Sequence, residues 1–328
     1  MIQFRKELSA PGMVAETNTI FGSIRDHREH GNKEISLRSA LMSAEAMFFL
    51  KSPSLLQFDQ KSREPVIKTN LKNLFFADQV PSDTQMREII DPVDPREISK
   101  AFPALFTLAQ RGKALEQYSY LNGKYLLPLD GTGMFSSHEV HCNNCCVKEH
   151  RNGTFTYYHQ MLTAVIVHPD QKNVIPIGAE AITKQDGATK NDCERNAGKR
   201  LLPWIREQHP HLGLIVVEDG LGSNAPHIKL IKNLNMSFIL GAKPGDHEKL
   251  FERIEIEDRL GTVTHFEIKE DNAIHRFKYI NNICLNESNP DLFVNFIEYW
   301  EIRDAEKVCH FSWVTDIEIT KENSMYQN

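Results

Sequence analysis

Tyr125-Leu-Leu-Pro-Leu-Asp130-Gly-Thr-Gly133 and Leu214-Ile-Val-Val-Glu-Asp219-Gly-Leu-Gly222 are the two stretches whose reading decides the fold of this chain. Each is an apolar run closed by Asp-Gly. A buried strand that stops at an aspartate presents its carboxylate at the end of a sheet, within reach of a ligand. Two such carboxylates on neighbouring strands form a hard, oxygen-rich site suited to Mg²⁺ or Mn²⁺. A pair of metals held that way activates a nucleophile and stabilises a leaving oxygen in phosphodiester cleavage. Asp-Gly is also an ordinary turn dipeptide, and either segment alone reads first as a plain strand-end turn. The order of the flanking elements raises the metal reading.

Tyr125–Asp130 reads as a strand ending at its acid. The run Met161-Leu-Thr-Ala-Val-Ile-Val-His168, within residues 154–168, is a second strand. Val174–Ile182 is a third, joined to the second as a hairpin through Pro169-Asp-Gln-Lys-Asn173. Asn191-Asp192 opens a helix in which Cys193, Ala197, Leu201 and Ile205 share one face, with a kink expected at Pro203. Leu214–Glu218 is a continuous apolar strand, as expected where both faces are covered. Ser223 or Asn224 caps the next helix, with Pro226 in its first turn, and Met236–Leu240 is another buried strand. Three hairpin-like strands, a helix, a strand, a helix and a strand make an α/β, ribonuclease-H-like mixed sheet. Four further strands come after them, over residues 262–268, 274–281, 294–302 and 309–317, between turn signals such as Asp271-Asn272 and Asn289-Pro290.

Residues 1 to about 120 read as a separate helical region. Ser36 caps an apolar helix running to Leu50, and Phe48, Phe49, Phe75, Phe76, Phe102 and Phe106 are its expected core. The stretch Ala40–Leu50 is too short to span a bilayer and contains Glu45, so it reads as a buried helix. Exposed bases such as Arg25, Arg28, Lys33 and Arg38 suggest contact with DNA or a second subunit; a lid packed on the core is the competing reading.

The chain has 328 residues, 41% hydrophobic and 25% charged, which are ordinary globular values that leave room for one large or two medium domains. A formal net charge of -6 disfavours a wholly basic nucleic-acid coat, so any DNA contact must be a local patch. The start carries no apolar signal core, and six cysteines in a chain this long are no secreted disulfide framework. A reducing, cytoplasmic setting is expected.

Taken together, several stretches resemble bacterial insertion-sequence transposases of the DDE type. They are Ala40-Leu-Met-Ser-Ala with Met47-Phe-Phe-Leu-Lys51, Pro81-Ser-Asp-Thr-Gln-Met-Arg-Glu88, Leu129-Asp-Gly-Thr-Gly133, Thr156-Tyr-Tyr-His-Gln160, Lys190-Asn-Asp-Cys-Glu-Arg195, Val217-Glu-Asp-Gly-Leu-Gly-Ser-Asn-Ala-Pro226 and Ile239-Leu-Gly-Ala-Lys243. Each is weak alone; their shared order is specific. The resemblance implies cut-and-paste transposition of double-stranded DNA by a homodimer, with a ribonuclease-H-like core over residues 121–328 and a β-rich insertion over 246–317. It implies Asp130 as the first metal-binding acid and Asp219 as the second. The family's third acid is a glutamate on a helix after the insertion. No match is found: Glu298 and Glu301 fall in a strand-like run, Glu318 stands after the last strand, and Glu322 is near the end. Since the family continues for roughly a further hundred residues, the resemblance implies a C-terminally truncated chain, defective in full transposition.

The segment His138-Glu-Val-His141-Cys142-Asn-Asn-Cys145-Cys146-Val-Lys-Glu-His150 is dense in soft ligands. Cys142 and Cys145 form a CxxC knuckle able to place two thiolates on one structural zinc, with Cys146, His141, His150 or His159 as completing ligands. A plain reduced loop is the alternative. Lys243 stands where it could meet a DNA phosphate, or is a solvated turn lysine. His227 reads as a solvated helix-start histidine. Asp192 and Glu194 complement a helix dipole and are given no part in catalysis. Ser136-Ser137-His138 lacks a nucleophile elbow. Two other functions compete with an active transposase: a non-catalytic DNA-binding or dimerising remnant, and an unrelated α/β metal hydrolase using the same aspartates.

Overall fold

The computed structural model describes residues 7–28, 33–183, 193–270, 273–303 and 306–324. The expected helix opening at Asn191-Asp192 and the Asp271-Asn272 turn lie outside them. The chain divides into two compact units, Met1–Glu116 and Gln117–Asn328.

The first unit is helical: α1 Ala10–Ser23, α2 Leu37–Phe49, α3 Leu55–Ser62, α4 Pro65–Phe75, α5 Asp83–Ile90, α6 Pro95–Ser99 and α7 Ala101–Arg111. Its helix starts are set by side-chain caps. Ser9, Ser36, Ser54, Ser82 and Asp94 each accept a backbone N–H of the first turn, a bond whose loss costs about 1 kcal/mol. Ser82 and Gln85 form a reciprocal capping box. The core departs from the aromatic set expected. Phe106 is buried, but Phe48 and Phe49 are 73% and 52% exposed. The buried apolar residues of α2 are Leu37, Ala40, Leu41, Met42 and Ala46, and the two phenylalanines fall in the last turn, beyond them. Phe58, Met42 and Leu71 fill the interior instead. The base cluster is also partly neutralised. Arg28 makes a bidentate contact with Asp26, and Arg38 reaches Asp78 and Asn18. Arg25 and Lys33 stay exposed.

The second unit is mixed α/β. Its strands are β1 Tyr125–Ser137, β2 Cys146–Glu149, β3 Phe155–Ile166, β4 Ile175–Ile182, β5 Leu214–Glu218, β6 Ser237–Gly241, β7 Thr264–Glu270, β8 Ala273–Asn286, β9 Asn289–Arg303 and β10 Glu306–Thr315. Helices α8 Glu194–Gln208, α9 Ala225–Asn233, α10 Glu248–Arg259 and α11 Lys321–Ser324 complete it. One open sheet runs β2-β3-β1-β5-β6-β10-β9-β8-β7, with β4 on the same edge of β3 as β2. The pairings β1–β3 and β3–β4 are antiparallel, whereas β1–β5 and β5–β6 are parallel. The last four strands extend this sheet, because β10 pairs antiparallel with β6.

Two expectations are corrected by this arrangement. Asp130 does not end its strand: β1 continues to Ser137, because β3 keeps pairing with it as far as Ser137↔Tyr157, across a bulge between Gly133 and Phe135. Cys193 is not on the buried face of α8; it is the exposed N-cap, while Ala197, Leu201 and Ile205 are buried. The helix runs through Pro203, which leaves the Lys199 carbonyl without its usual N–H donor. Close approach of α8 to the sheet needs Gly178, where a Cβ would meet Trp204 and Leu201 at 3.0 and 3.1 Å. The sheet is covered on both faces: Leu127, Ala164, Ile166, Ile177, Ile215, Val216 and Phe238 are all buried.

Candidate functional site

The parallel ladder between β1 and β5 ends at Pro128↔Val217. Asp130 stands two residues beyond that last pair on β1, and Asp219 follows the end of β5; both line one cleft where the strands part. Asp219 has left the strand, and its Oδ1 accepts the Leu221 N–H at 2.9 Å in a tight turn. Thr163 Oγ1 donates to the Asp130 carbonyl at 3.2 Å, holding the other strand to β3.

A cleft of about 360 Å³ opens there, lined by Asp130, Leu162, Glu194, Glu218, Asp219 and His227, among others. Glu194, given by its spacing only a helix-dipole role, belongs to this site. It is the first residue of α8, and its carboxyl lies against Gly131, where even a Cβ would overlap it. Partial burial pushes its pKa up, and the negative charges of Asp130, Asp219 and Glu218 push it further. None of Glu298, Glu301, Glu318 or Glu322 lines this cleft. Glu298 is buried in β9 against His310 Nε2 at 2.7 Å, and Glu301 meets Arg303.

His227 also departs from expectation. It is buried, and its Nε2 lies 2.9 and 3.0 Å from the two Glu218 oxygens. Asn224 accepts the His227 N–H and caps α9, which turns the histidine down onto the sheet end. Lys243 is exposed, and its stem passes close to Gly220, the residue after Asp219. A neighbouring groove of about 680 Å³ shares Arg195 and Leu221 with the acid cleft and adds Ser223, His247 and Lys249. His247 Nε2 lies 2.7 Å from Ser223 Oγ, and burial lowers its pKa.

A second cluster sits farther along β1 and β3. Cys142 Sγ and Cys145 Sγ are 3.7 Å apart, and His159 Nε2 lies 3.3 and 3.2 Å from them. Among the described residues this is the one trio of His, Cys, Asp or Glu whose ligand atoms all lie within 4.8 Å of one another. No trio of the acids in the cleft meets that spacing. Of the other completing ligands, Cys146 is buried, with its thiol directed at the Ile182 carbonyl, and His150 Nε2 pairs with Thr156 Oγ1 at 2.7 Å. Ser136, Ser137 and His138 hold local structure: Ser137 Oγ accepts two backbone N–H groups of the following turn, and His138 Nδ1 contacts the Phe155 carbonyl. Among the described residues no helix is long and apolar enough to cross a membrane.

No protein-family model and no curated protein sequence matches this chain.

Proposed function

We propose that this chain is a divalent-metal-dependent phosphodiester-cleaving protein of ribonuclease-H-like architecture, acting on double-stranded DNA in the manner of a DDE transposase. The observation that carries the reading is the pairing of Asp130 and Asp219 at the parting ends of parallel β1 and β5, with Glu194 brought over Gly131. The strand order β4-β3-β1-β5-β6, three antiparallel and then two parallel to the first, supports the architecture.

The donor set fits hard cations: it is all carboxylate oxygen, and burial together with the neighbouring acids raises the Glu194 pKa, a cost that a bound divalent ion offsets. Asp130, Asp219 and Glu194 would hold Mg²⁺ or Mn²⁺, which supply activation of the attacking water and stabilisation of the departing oxygen. Glu194 stands in this reading as the third acid, at a helix start rather than after the β-rich strands. The cleft and the neighbouring groove accommodate a DNA strand, with Arg195 between them and Lys243 at the Asp219 turn for phosphate contacts. Strand transfer, in which the freed 3′-hydroxyl would bond to a target phosphorus as that phosphorus's own 3′-oxygen leaves, would call for a homodimer, and no residue of this chain is assigned to it.

The test is Mn²⁺-dependent nicking of supercoiled DNA by the full chain and by Asp130→Asn, Asp219→Asn and Glu194→Gln. Loss of nicking in all three, with folding retained, supports the reading. Nicking undiminished by Asp130→Asn defeats it. Hydrolysis of small phosphoesters with DNA left intact transfers the site to a metal hydrolase.

The cysteine–histidine group is a separate site in this reading. Two thiolates and an imidazole are the soft donors that zinc accepts and Mg²⁺ does not.

A further inference from the structure

We propose that His141 closes the Cys142–Cys145–His159 group as its fourth ligand, giving a closed Cys₂His₂ zinc clasp that is structural and separate from the acids. The proposal rests on reading that group as a zinc site.

The knuckle is already built. Cys145 N–H donates to the Cys142 carbonyl at 3.2 Å, closing a turn, and Cys142 N–H donates to Cys145 Sγ at 3.3 Å. An N–H aimed at a sulfur stabilises the thiolate form that a metal requires. His159 comes from β3, so a metal at this point ties the loop after β1 to the strand paired with β1. Three protein ligands leave one tetrahedral position to fill.

His141 is the neighbouring side chain that fills it on swinging off Tyr157. It adjoins Cys142 in the chain, and its ring stacks on Tyr157 at 4.2 Å between centroids and 16° between planes. Tyr157 and His159 are two apart on β3 and share one face of it. The tautomer is also fixed. His141 Nδ1 lies 3.0 Å from the Glu139 carbonyl oxygen, which only accepts, so Nδ1 carries the proton and Nε2 keeps its lone pair. That is the arrangement of metal-binding histidines, in which the second nitrogen is held by a carbonyl or carboxylate.

The rivals point elsewhere. Cys146 pairs with Tyr158, on the opposite face of β3 from Tyr157 and His159, and its thiol turns to Ile182. His150 and His138 both approach Thr156 Oγ1, at 2.7 and 3.4 Å, and Thr156 also alternates away from Tyr157. His141 lies outside the close group of three, so closing the shell swings its imidazole off Tyr157.

The experiment uses the full chain, refolded or purified with Zn²⁺ and read by metal content, competitive titration against a chromophoric chelator, and zinc X-ray absorption. The expected result is one tightly held zinc with two sulfur ligands at about 2.3 Å and two nitrogen ligands at about 2.0–2.1 Å. His141→Ala is expected to lower zinc affinity at least about 10-fold and to replace one nitrogen by a solvent oxygen, the low end of what even outer-shell changes cost. His150→Ala is the matched control and is expected to leave affinity unchanged. Unaltered affinity and ligand shell in His141→Ala, while Cys142→Ser abolishes binding, overturns the His141 assignment and leaves the three-ligand zinc site standing. Equal losses in His141→Ala and His150→Ala overturn it as well. Absence of tight, cysteine-dependent zinc in the unaltered chain overturns both.

Discussion

Gly131→Ala separates the chemistry of the acid cleft from its stability. The backbone tolerates alanine there, since Gly131 is not among the glycines with positive φ. Its side of the strand does not. An added Cβ would lie 2.5 Å from Glu194 Cδ and nearer still to Oε1. Ordinary contact between carbon atoms begins at about 3.5 Å, so the carboxyl must retreat by at least about 1 Å. The retreat costs little in folding, because the obstacle is the far end of a flexible side chain, and loss of glycine entropy in the unfolded chain returns about 0.4–1 kcal/mol. Misplacement of about 1 Å at a reacting centre costs on the order of 100-fold in rate. The expected outcome is unchanged or slightly raised resistance to urea, with Mn²⁺ affinity weakened and DNA nicking down by about two orders of magnitude. Gly133→Ala is the control two residues on, where a Cβ meets nothing within 4 Å. Matching nicking rates in the two variants would refute a role for Glu194.

Two further outcomes are expected. In the helical unit, burial lifts the Glu45 pKa to about 7. A folded-state pKa raised above the unfolded one contributes stability that is complete below the unfolded pKa, near 4.5, and lost as pH rises through about 7. At about 1.4 kcal/mol per pKa unit, discounted for the partly exposed side chain, the loss is about 1–2 kcal/mol. Glu45→Gln is therefore expected to flatten that decline between pH 5.5 and 8; hydrogen exchange along α2 reads it, and an unchanged slope contradicts it. In the second unit, His227→Ala removes the partner of Glu218 in a pair whose side chains are 6% and 14% exposed. A loss of about 1.5–3 kcal/mol is expected, as for a hydrogen bond to a charged group. Urea denaturation tracked by tryptophan fluorescence measures it, since all three tryptophans lie in this unit; no shift in midpoint would mean that solvent replaces the histidine.

How much of this was legible in the sequence depends on the range of the interaction concerned. Caps such as Ser36 and Asn224 are decided within three residues and read correctly. The continuous apolar runs of β5 and β6 announce strands covered on both faces, and both are there. Asp219 was visible because a strand end and a turn signal coincide there; at Asp130 the same signal marks only the end of pairing with β5, since β1 itself runs on to Ser137. Glu194 was not, because a glutamate in a helix's first turn has a sufficient local explanation, and only the approach of α8 to Gly131 gives it another. His227 misled for the same reason: its helix-start position says solvent, while the tilt of α9 onto Glu218 says burial. Phe48 and Phe49 misled in the other direction, since aromatic content suggests a core but helical phase sets which side faces it.

The length of β1 ties the two candidate sites together. Its pairing with β5 stops at Pro128, but its pairing with β3 continues past the acids to Ser137. One strand thus loses a neighbour on one edge while keeping the other, and the gap so formed is the acid cleft. Beyond it, β1 and β3 form a ribbon in which Phe135 faces His159 across the Gly133–Phe135 bulge. Phe135 is five residues from Asp130, roughly 15–17 Å along a strand. Bulges sharpen local twist and re-aim the residues beyond them, so this ribbon would otherwise be the least constrained part of the sheet, paired on β3's outer edge only by the four residues of β2. Cys142 and Cys145 meet His159 there, at the far end of the same strand that carries Asp130. A metal held by that group would fasten the ribbon's tip and so limit the splaying of a strand whose divergence from β5 creates the cleft.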